Sequence, residues 1–159
     1  MEKLYFEIPD ISRKKDAIEY ISEFYRYHSD INGSGGLDRY LDHYEGWLEK
    51  LEGDYTQEPN EERVPARTFF LVRETDRRIV GMINIRLALN ERLSHYGGHI
   101  GYSIRPTERG KGYNKINLYL GLKLCVEVWG WYPTPSKIVI TLLTVLISFF
   151  GQKYYSFRK

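Results

Sequence analysis

The chain has 159 residues, which is enough for one domain with a sizeable buried core. Its 23 lysines and arginines nearly balance 21 aspartates and glutamates, and this argues against general nucleic-acid binding, which needs a concentrated basic face. The single cysteine, Cys125, excludes an intramolecular disulfide and a cysteine-rich zinc site and fits a reducing compartment. The first residues lack the apolar run of a signal peptide. We therefore expect one cytoplasmic domain over residues 1–159, without a metal ion.

The N-terminal third is predicted to be helical. Apolar residues at helical spacing predict an amphipathic helix over residues 14–29. A glycine-rich break at 33–36 follows, and then residues 37–51 carry apolar side chains at intervals of three and four, which is the strongest helix signal in the chain. The polar, turn-rich segment 53–65 predicts a surface loop.

The middle of the chain predicts strands. Segments 68–73 and 79–87 are rich in β-branched and aromatic residues, and the turn between them indicates a hairpin. A third strand is predicted over 98–104, and a helix from 111 to about 128. Helices, an antiparallel pair and a strand–loop–helix unit in this order are typical of an α/β or α+β fold. A doubly wound nucleotide-binding fold is excluded because no regular strand–helix alternation precedes the loop.

The loop after the third predicted strand is the most informative segment. Gly110 and Gly112 have no Cβ, so the backbone can turn sharply and a phosphate can come close. Arg109 and Lys111 add positive charge, and the N-terminus of the next predicted helix lies behind them. The pattern predicts a ligand that bears a diphosphate.

Residues 109–114, Arg-Gly-Lys-Gly-Tyr-Asn, resemble the acyl-CoA pyrophosphate loop of the GNAT N-acetyltransferase superfamily, whose pattern is Gln/Arg-x-x-Gly-x-Gly/Ala. Arg109 matches the first position and Gly112 the fourth, whereas Asn114 stands where Gly or Ala is usual. The wider match covers about residues 1–125: the segments before the loop are similar to a group of bacterial predicted acetyltransferases in this superfamily. Loop, strand and hairpin in this order form a specific signal.

The resemblance implies a mixed, mostly antiparallel central sheet flanked by helices, and acetyl transfer from acetyl-CoA to a primary amine by direct attack in a ternary complex. It implies that the strand pairs with the pantetheine arm, that the loop amides hold the pyrophosphate, and that Arg109 and Lys111 add charge-assisted contacts. The residues predicted to bind acetyl-CoA are Ser103, Ile104, Arg109, Gly110, Lys111, Gly112, Tyr113 and Asn114. The expected acceptor is a small-molecule or peptide amine, and we expect neither nucleic acid nor a membrane as a partner.

The candidate general base is His99. An attacking amine must be neutral, so a base should take its proton. Residues 97–104 contain no Asp or Glu, and histidine as a residue type titrates in the right range, although a strand histidine such as His99 can also be a packed or surface residue. Arg105 is not expected to bind ligand because Pro106 forces an extended backbone, and Cys125 is interpreted as a small core residue.

Acidic residues of the helical part could attract a cationic amine or form solvated helix faces; they are Glu19, Glu23, Asp38, Asp42 and Glu45.

Beyond Cys125 the resemblance stops, so residues 126–159 form an atypical tail. The family would continue with a fifth strand and a helix that carries an Asn and often a general-acid Tyr, but a Pro-containing turn and the uncharged run 138–150 take that place. The run is too short to span a bilayer as a helix, and its composition predicts a buried strand. If exposed, it would favour homodimerisation. Two alternatives to an enzyme follow: a catalytically impaired acyl-CoA-binding remnant, and an interaction module that pairs through this strand.

We hypothesise that the tail results from a reading-frame shift in an acetyltransferase gene, because the composition changes abruptly in mid-domain. Translating the gene in its other two frames past codon 125 tests this. The hypothesis predicts that one frame encodes an Asn-bearing helical segment of family type. If neither frame does, the hypothesis is wrong.

Overall fold

The computed structural model describes residues 2–127 and residue 130. The strands are β1 (Leu4–Glu7), β2 (Ala66–Arg73), β3 (Ile79–Arg86) and β4 (Ile100–Ile104), and the helices are α1 (Lys14–Arg26), α2 (Tyr44–Thr56), α3 (Glu91–Tyr96) and α4 (Tyr113–Glu127). Single 3₁₀ turns lie at Ile11–Arg13, Leu37–Arg39 and Pro106–Glu108. Among these described helices, none has the length and apolar character that crossing a membrane requires.

The chain divides into two compact units, residues 1–121 and 122–159. Of the second unit, the structure describes residues 122–127, which end α4, and residue 130. The predicted strand over 138–150 and the rest of the predicted atypical tail lie outside the described residues.

The described strands form one sheet in the order β1-β2-β3-β4, and every pairing is antiparallel. Phe70 of β2 lies opposite Met82 of β3, and Ile83 of β3 lies opposite Tyr102 of β4. Helices flank the sheet, so the prediction of an α/β fold with a mostly antiparallel sheet is confirmed. Within the described part, β4 lies at the edge of the sheet, directly before the glycine-containing loop.

Helices α1 and α2 cover one face of the sheet. Tyr20 and Phe24 of α1 and Trp47 of α2 are fully buried against Phe70 and Met82. Burying a large apolar side chain in this way contributes about 1.5–3 kcal/mol. This packing fixes α1 above the sheet and therefore above the strand that leads into the loop.

Helix α4 packs on the opposite face. The cluster there contains Leu4, Leu71, Val80, Ile104 and Tyr113, with Phe6, Ile116 and Leu120 packed around it. A Cβ on Gly121 would lie only 2.7 Å from Cδ1 of Ile83, so glycine lets the helix approach β3 closely without a shift of that side chain. The N-terminal end of α4 is thus held at the end of β4.

The prediction of one helix over 37–51 is wrong, because α2 begins only at Tyr44 and Leu37–Arg39 forms a single 3₁₀ turn. The spacing indicates burial rather than continuous helix: Leu37 is fully buried although it precedes α2. Helix α2 also continues to Thr56, into the predicted loop. Strand β1 and the one-and-a-half-turn helix α3 were not predicted, because such short elements carry little periodicity.

Gly33 brings the segment between α1 and α2 onto β4. Its φ is +69°, and a Cβ there would lie 2.4 Å from the carbonyl oxygen of Gly101. Only glycine allows this backbone conformation together with this approach. The contact places the residues just before Gly33 beside the outer edge of β4.

Candidate functional site

A cavity of about 640 Å³ lies at the end of β4 and the start of α4, within the size range of small-molecule sites. Its lining comprises Asp30, Asn32, Tyr102, Ser103, Ile104, Glu108, Arg109, Gly110, Gly112, Tyr113, Asn114 and Lys115. All residues predicted to bind acetyl-CoA are brought together here except Lys111. Residues 30 and 32, which the sequence prediction missed, reach the cavity because Gly33 rests on β4.

The loop before α4 presents a row of open hydrogen-bond donors. Gly110 and Gly112 both have a φ of +80°, which favours glycine, and in the described part of the chain no heavy atom beyond the adjacent residues lies within 4 Å of a Cβ built on either. Within residues 2–127, the backbone N–H groups of 110–114 donate no hydrogen bond of normal length and angle. The first N–H that is used is that of Lys115, which donates to the carbonyl of Gly112 at 3.1 Å and starts the helix. Open N–H groups at a helix N-terminus form an anion-binding site.

The outer edge of β4 offers a second set of backbone groups. The N–H of Arg105 donates to the carbonyl of Val80 at 2.9 Å, so the alternation of an antiparallel strand turns the main-chain groups of Tyr102 and Ile104 away from β3. Both residues line the cavity. An extended ligand that carries amide groups can therefore pair with this edge as an added strand would.

Ser103 is held by α1. Its Oγ lies 3.0 Å from the hydroxyl of Tyr20, and both side chains are buried. Burial raises the pKa of Tyr20, so its phenol stays protonated at neutral pH. The Tyr20–Ser103 hydrogen bond fixes the position of β4 against α1 at the wall of the cavity.

Both cations that were predicted to contact phosphate already have protein partners. Arg109 donates through Nε to the carbonyl of Ile104 at 3.1 Å and through Nη2 to Oγ of Ser29 at 2.7 Å. Lys111 donates to Oε2 of Glu108 at 2.8 Å and lies outside the cavity lining. Arg109 therefore clamps the loop to β4 and to the end of α1.

Glu23 ties α1 to the start of the loop. It is only 5 % exposed, and its Oε1 accepts hydrogen bonds from the backbone N–H of Thr107 at 3.0 Å and from its hydroxyl at 2.7 Å. Its Oε2 accepts from Nη1 of Arg105 at 2.9 Å. The interpretation of Glu23 as part of a solvated helix face is therefore wrong. Its place three residues after Tyr20, on the buried stripe of α1, was the available signal.

Glu108 ties the loop to the β2–β3 hairpin. It is 3 % exposed, and its carboxylate accepts from Arg73 and Lys111 at 2.8 Å and from Arg78 at 3.2 Å. Burial alone would raise the pKa of Glu108, but the hydrogen bonds from Lys111 and Arg73 outweigh it and lower the pKa. Burial would also raise the pKa of Glu23, but the hydrogen bonds from Thr107 and Arg105 outweigh it and lower the pKa. Both carboxylates are charged at neutral pH.

His99 lies in the bend immediately before β4, half-buried, and its carbonyl accepts from the N–H of Arg86 at 2.8 Å. It stands outside the cavity lining.

Arg105 is 1 % exposed and donates to Glu19, Glu23 and the carbonyl of Ile79, which agrees with the expectation that it does not bind ligand.

Among residues 2–127 and 130, no three His, Cys, Asp or Glu side chains are grouped so that they could hold a metal ion.

The Glu23 contacts predict a specific acid sensitivity. Because the pKa of Glu23 is lowered on folding, its stabilisation is complete at neutral pH and is lost as the pH falls through the carboxyl range. Glu23→Gln should lower the unfolding free energy at about pH 7 by up to about 3 kcal/mol and flatten its decrease toward about pH 3. Chemical denaturation at several pH values measures both effects. Glu49→Gln, at an exposed position, is the control, and equal pH dependence in Glu23→Gln and the unsubstituted chain would contradict the assignment.

Comparison with known proteins agrees with this geometry. A family model described as the acetyltransferase (GNAT) family matches residues 34–130, which is more than half of the chain. The matched range contains β2, β3, β4 and the whole glycine-containing loop. A comparison with curated proteins finds no match. On the extent of the family match, and with the expected sheet and loop in place, the chain belongs to the GNAT acetyltransferase family.

Proposed function

We propose that this chain transfers an acetyl group from acetyl-CoA to a primary amine. Family membership supports acetyl transfer in general. The observation that carries the acetyl-CoA assignment is the run of open N–H groups at 110–114, in front of which the absence of a Cβ at Gly110 and Gly112 leaves free space. A diphosphate fits this set of donors, because it brings several anionic oxygens to one short stretch of backbone.

Two parts of acetyl-CoA, the diphosphate and the pantetheine arm, have a matching surface in the cavity. The amides of 110–114 would hold the diphosphate, and the helix N-terminus behind them adds a favourable dipole. The outward main-chain groups of Tyr102 and the N–H of Ile104 would pair with the amides of the pantetheine arm, whereas the carbonyl of Ile104 already accepts from Arg109. The clamp formed by Arg109 keeps the loop and the end of β4 at a fixed separation, so both surfaces can be used by one ligand.

Bound acetyl-CoA would supply the thioester. In a ternary complex the acceptor nitrogen attacks the acetyl carbon: the C–N bond forms, the C–S bond breaks, and the proton that the amine loses ends on the CoA thiol or on solvent. The single cysteine of the chain, Cys125, is buried, and burial raises the pKa of its thiol. This supports direct transfer over a route through an acetylated cysteine.

His99 remains the proposed general base. It lies four residues before Ser103, and four residues of extended strand span a distance of about 13 Å. The carboxylate of Asp30 lines the cavity and is the alternative. Either group would act on the acceptor amine directly or through one water molecule.

Release of CoA thiol from acetyl-CoA over a panel of amines tests the function and the base together. The unsubstituted chain should release thiol, and His99→Gln should lower kcat about 10²–10⁴-fold, with Asp30→Asn as the comparison. An unchanged kcat in His99→Gln, with a loss in Asp30→Asn, would move the role to Asp30. Binding of CoA without thiol release for any amine would contradict the enzyme and identify a catalytically impaired acyl-CoA-binding protein.

Gly112→Asp tests the diphosphate assignment. A carboxylate at this position would face the open amides, so calorimetry should show CoA affinity reduced at least about tenfold, or about 1.4 kcal/mol, and below detection if the repulsion is strong. Gly112→Asn is the matched control, because Asn has the same shape, tolerates positive φ and carries no charge. Equal affinities of the Asp and Asn variants would show that no phosphate lies here.

A further inference from the structure

Some of the charged side chains around the cavity are paired with other groups of the protein, and others are open to a ligand. Three cations lie on or beside the loop: Arg109, Lys111 and Lys115. The guanidinium of Arg109 is committed to Ile104 and Ser29, and it lies 5.6 Å from the ring centre of Phe24. Moving it to a ligand would release the clamp that holds the loop.

Lys111 is committed in another way. The buried carboxylate of Glu108 lines the cavity, and its charge would repel a diphosphate. Lys111, Arg73 and Arg78 surround this carboxylate at 2.8–3.2 Å and offset its charge. If Lys111 turned to a ligand, it would expose the ligand to more of the Glu108 charge. Its structural role and a phosphate contact therefore oppose each other.

Lys115 has no such commitment. It lines the cavity, its side chain is exposed, and it makes no hydrogen bond or ion pair through Nζ within residues 2–127. It stands in the first turn of α4, where its N–H bonds to Gly112. Side chains of a helix lean toward its N-terminus, so the ammonium group is carried toward the open amides of 110–114.

We propose that Lys115, and not Lys111, is the lysine that pairs with a phosphate of CoA and so contributes to the choice of this co-substrate. The inference rests on the proposed function. An ammonium group is a compact charge on a flexible stem and binds phosphate well. CoA carries phosphate in two places, the diphosphate and the ribose 3′-phosphate, and both lie within the chemistry that Lys115 recognises.

Calorimetry with CoA on Lys115→Met and Lys111→Met tests the proposal. Methionine keeps most of the side-chain length and removes the charge. Lys115→Met should weaken CoA binding about tenfold or more, the usual size of a charge-assisted contact. Lys111→Met should cost less, because it removes only one of the three cations that offset the charge of Glu108. Lys115→Arg should retain most of the affinity. Equal or larger loss in Lys111→Met, or an unchanged affinity in Lys115→Met, would overturn the assignment.

Three further arms make the result specific. With dephospho-CoA, the penalty of Lys115→Met should vanish if the partner is the 3′-phosphate and persist if it is the diphosphate. With pantetheine, which has no phosphate, Lys115→Met should cost nothing, and a penalty there would refute a phosphate contact. Thermal unfolding of Lys115→Met should match that of the unsubstituted chain, because Lys115 is exposed. If the unsubstituted chain itself bound no CoA, the proposed function would fail and not only the role of Lys115.

Discussion

The position of the loop depends on one buried carboxylate. Glu23, on α1, binds the backbone and hydroxyl of Thr107 through one oxygen and Arg105 through the other, across more than 80 residues of sequence. Removing one partner of a buried ion pair typically costs about 3–5 kcal/mol, because the remaining charge has lost its solvation. α1 is itself fixed by Tyr20 and Phe24 on the sheet. The end of β4 and the first residues of the loop are therefore located by the core, and the geometry of the site follows from the packing of the helical layer.

In this arrangement, the buried charged groups and the main-chain N–H groups of the loop have different roles. The buried charges around Glu23 and Glu108 are satisfied within the protein, so they position the loop and leave its backbone donors open. The main-chain N–H groups of 110–114 carry no net charge and need no reorganisation to receive an anion. A loop built in this way is rigid before the ligand arrives, and pre-organisation of this kind reduces the entropic cost of binding.

The sequence predicts the sheet and the loop better than it predicts the charge network. Strands β2, β3 and β4 and the glycine turn follow from alternation and from the conformational freedom of Gly110 and Gly112, which are local properties. The buried contacts of Glu23 were not predicted, because its partners are remote in sequence and meet it only after α1 has packed. The pairing of Lys111 with Glu108 could have been predicted from the sequence, since the two residues are three positions apart. The helix over 37–51 was overextended because periodic burial continues through residues 37–43, where a 3₁₀ turn precedes α2.

We propose that the backbone of residues 110–114, held in place by Glu23 and Glu108, is the anion-binding element of an acyl-CoA site. Titration of the ¹⁵N-labelled full chain with CoA, followed by amide NMR, tests this proposal most directly. We expect the largest shifts at the N–H groups of 110–114, with smaller shifts at Tyr102 and Ile104 along the outer edge of β4. Saturable CoA binding that leaves these amides unmoved, and shifts another part of the chain, would contradict it.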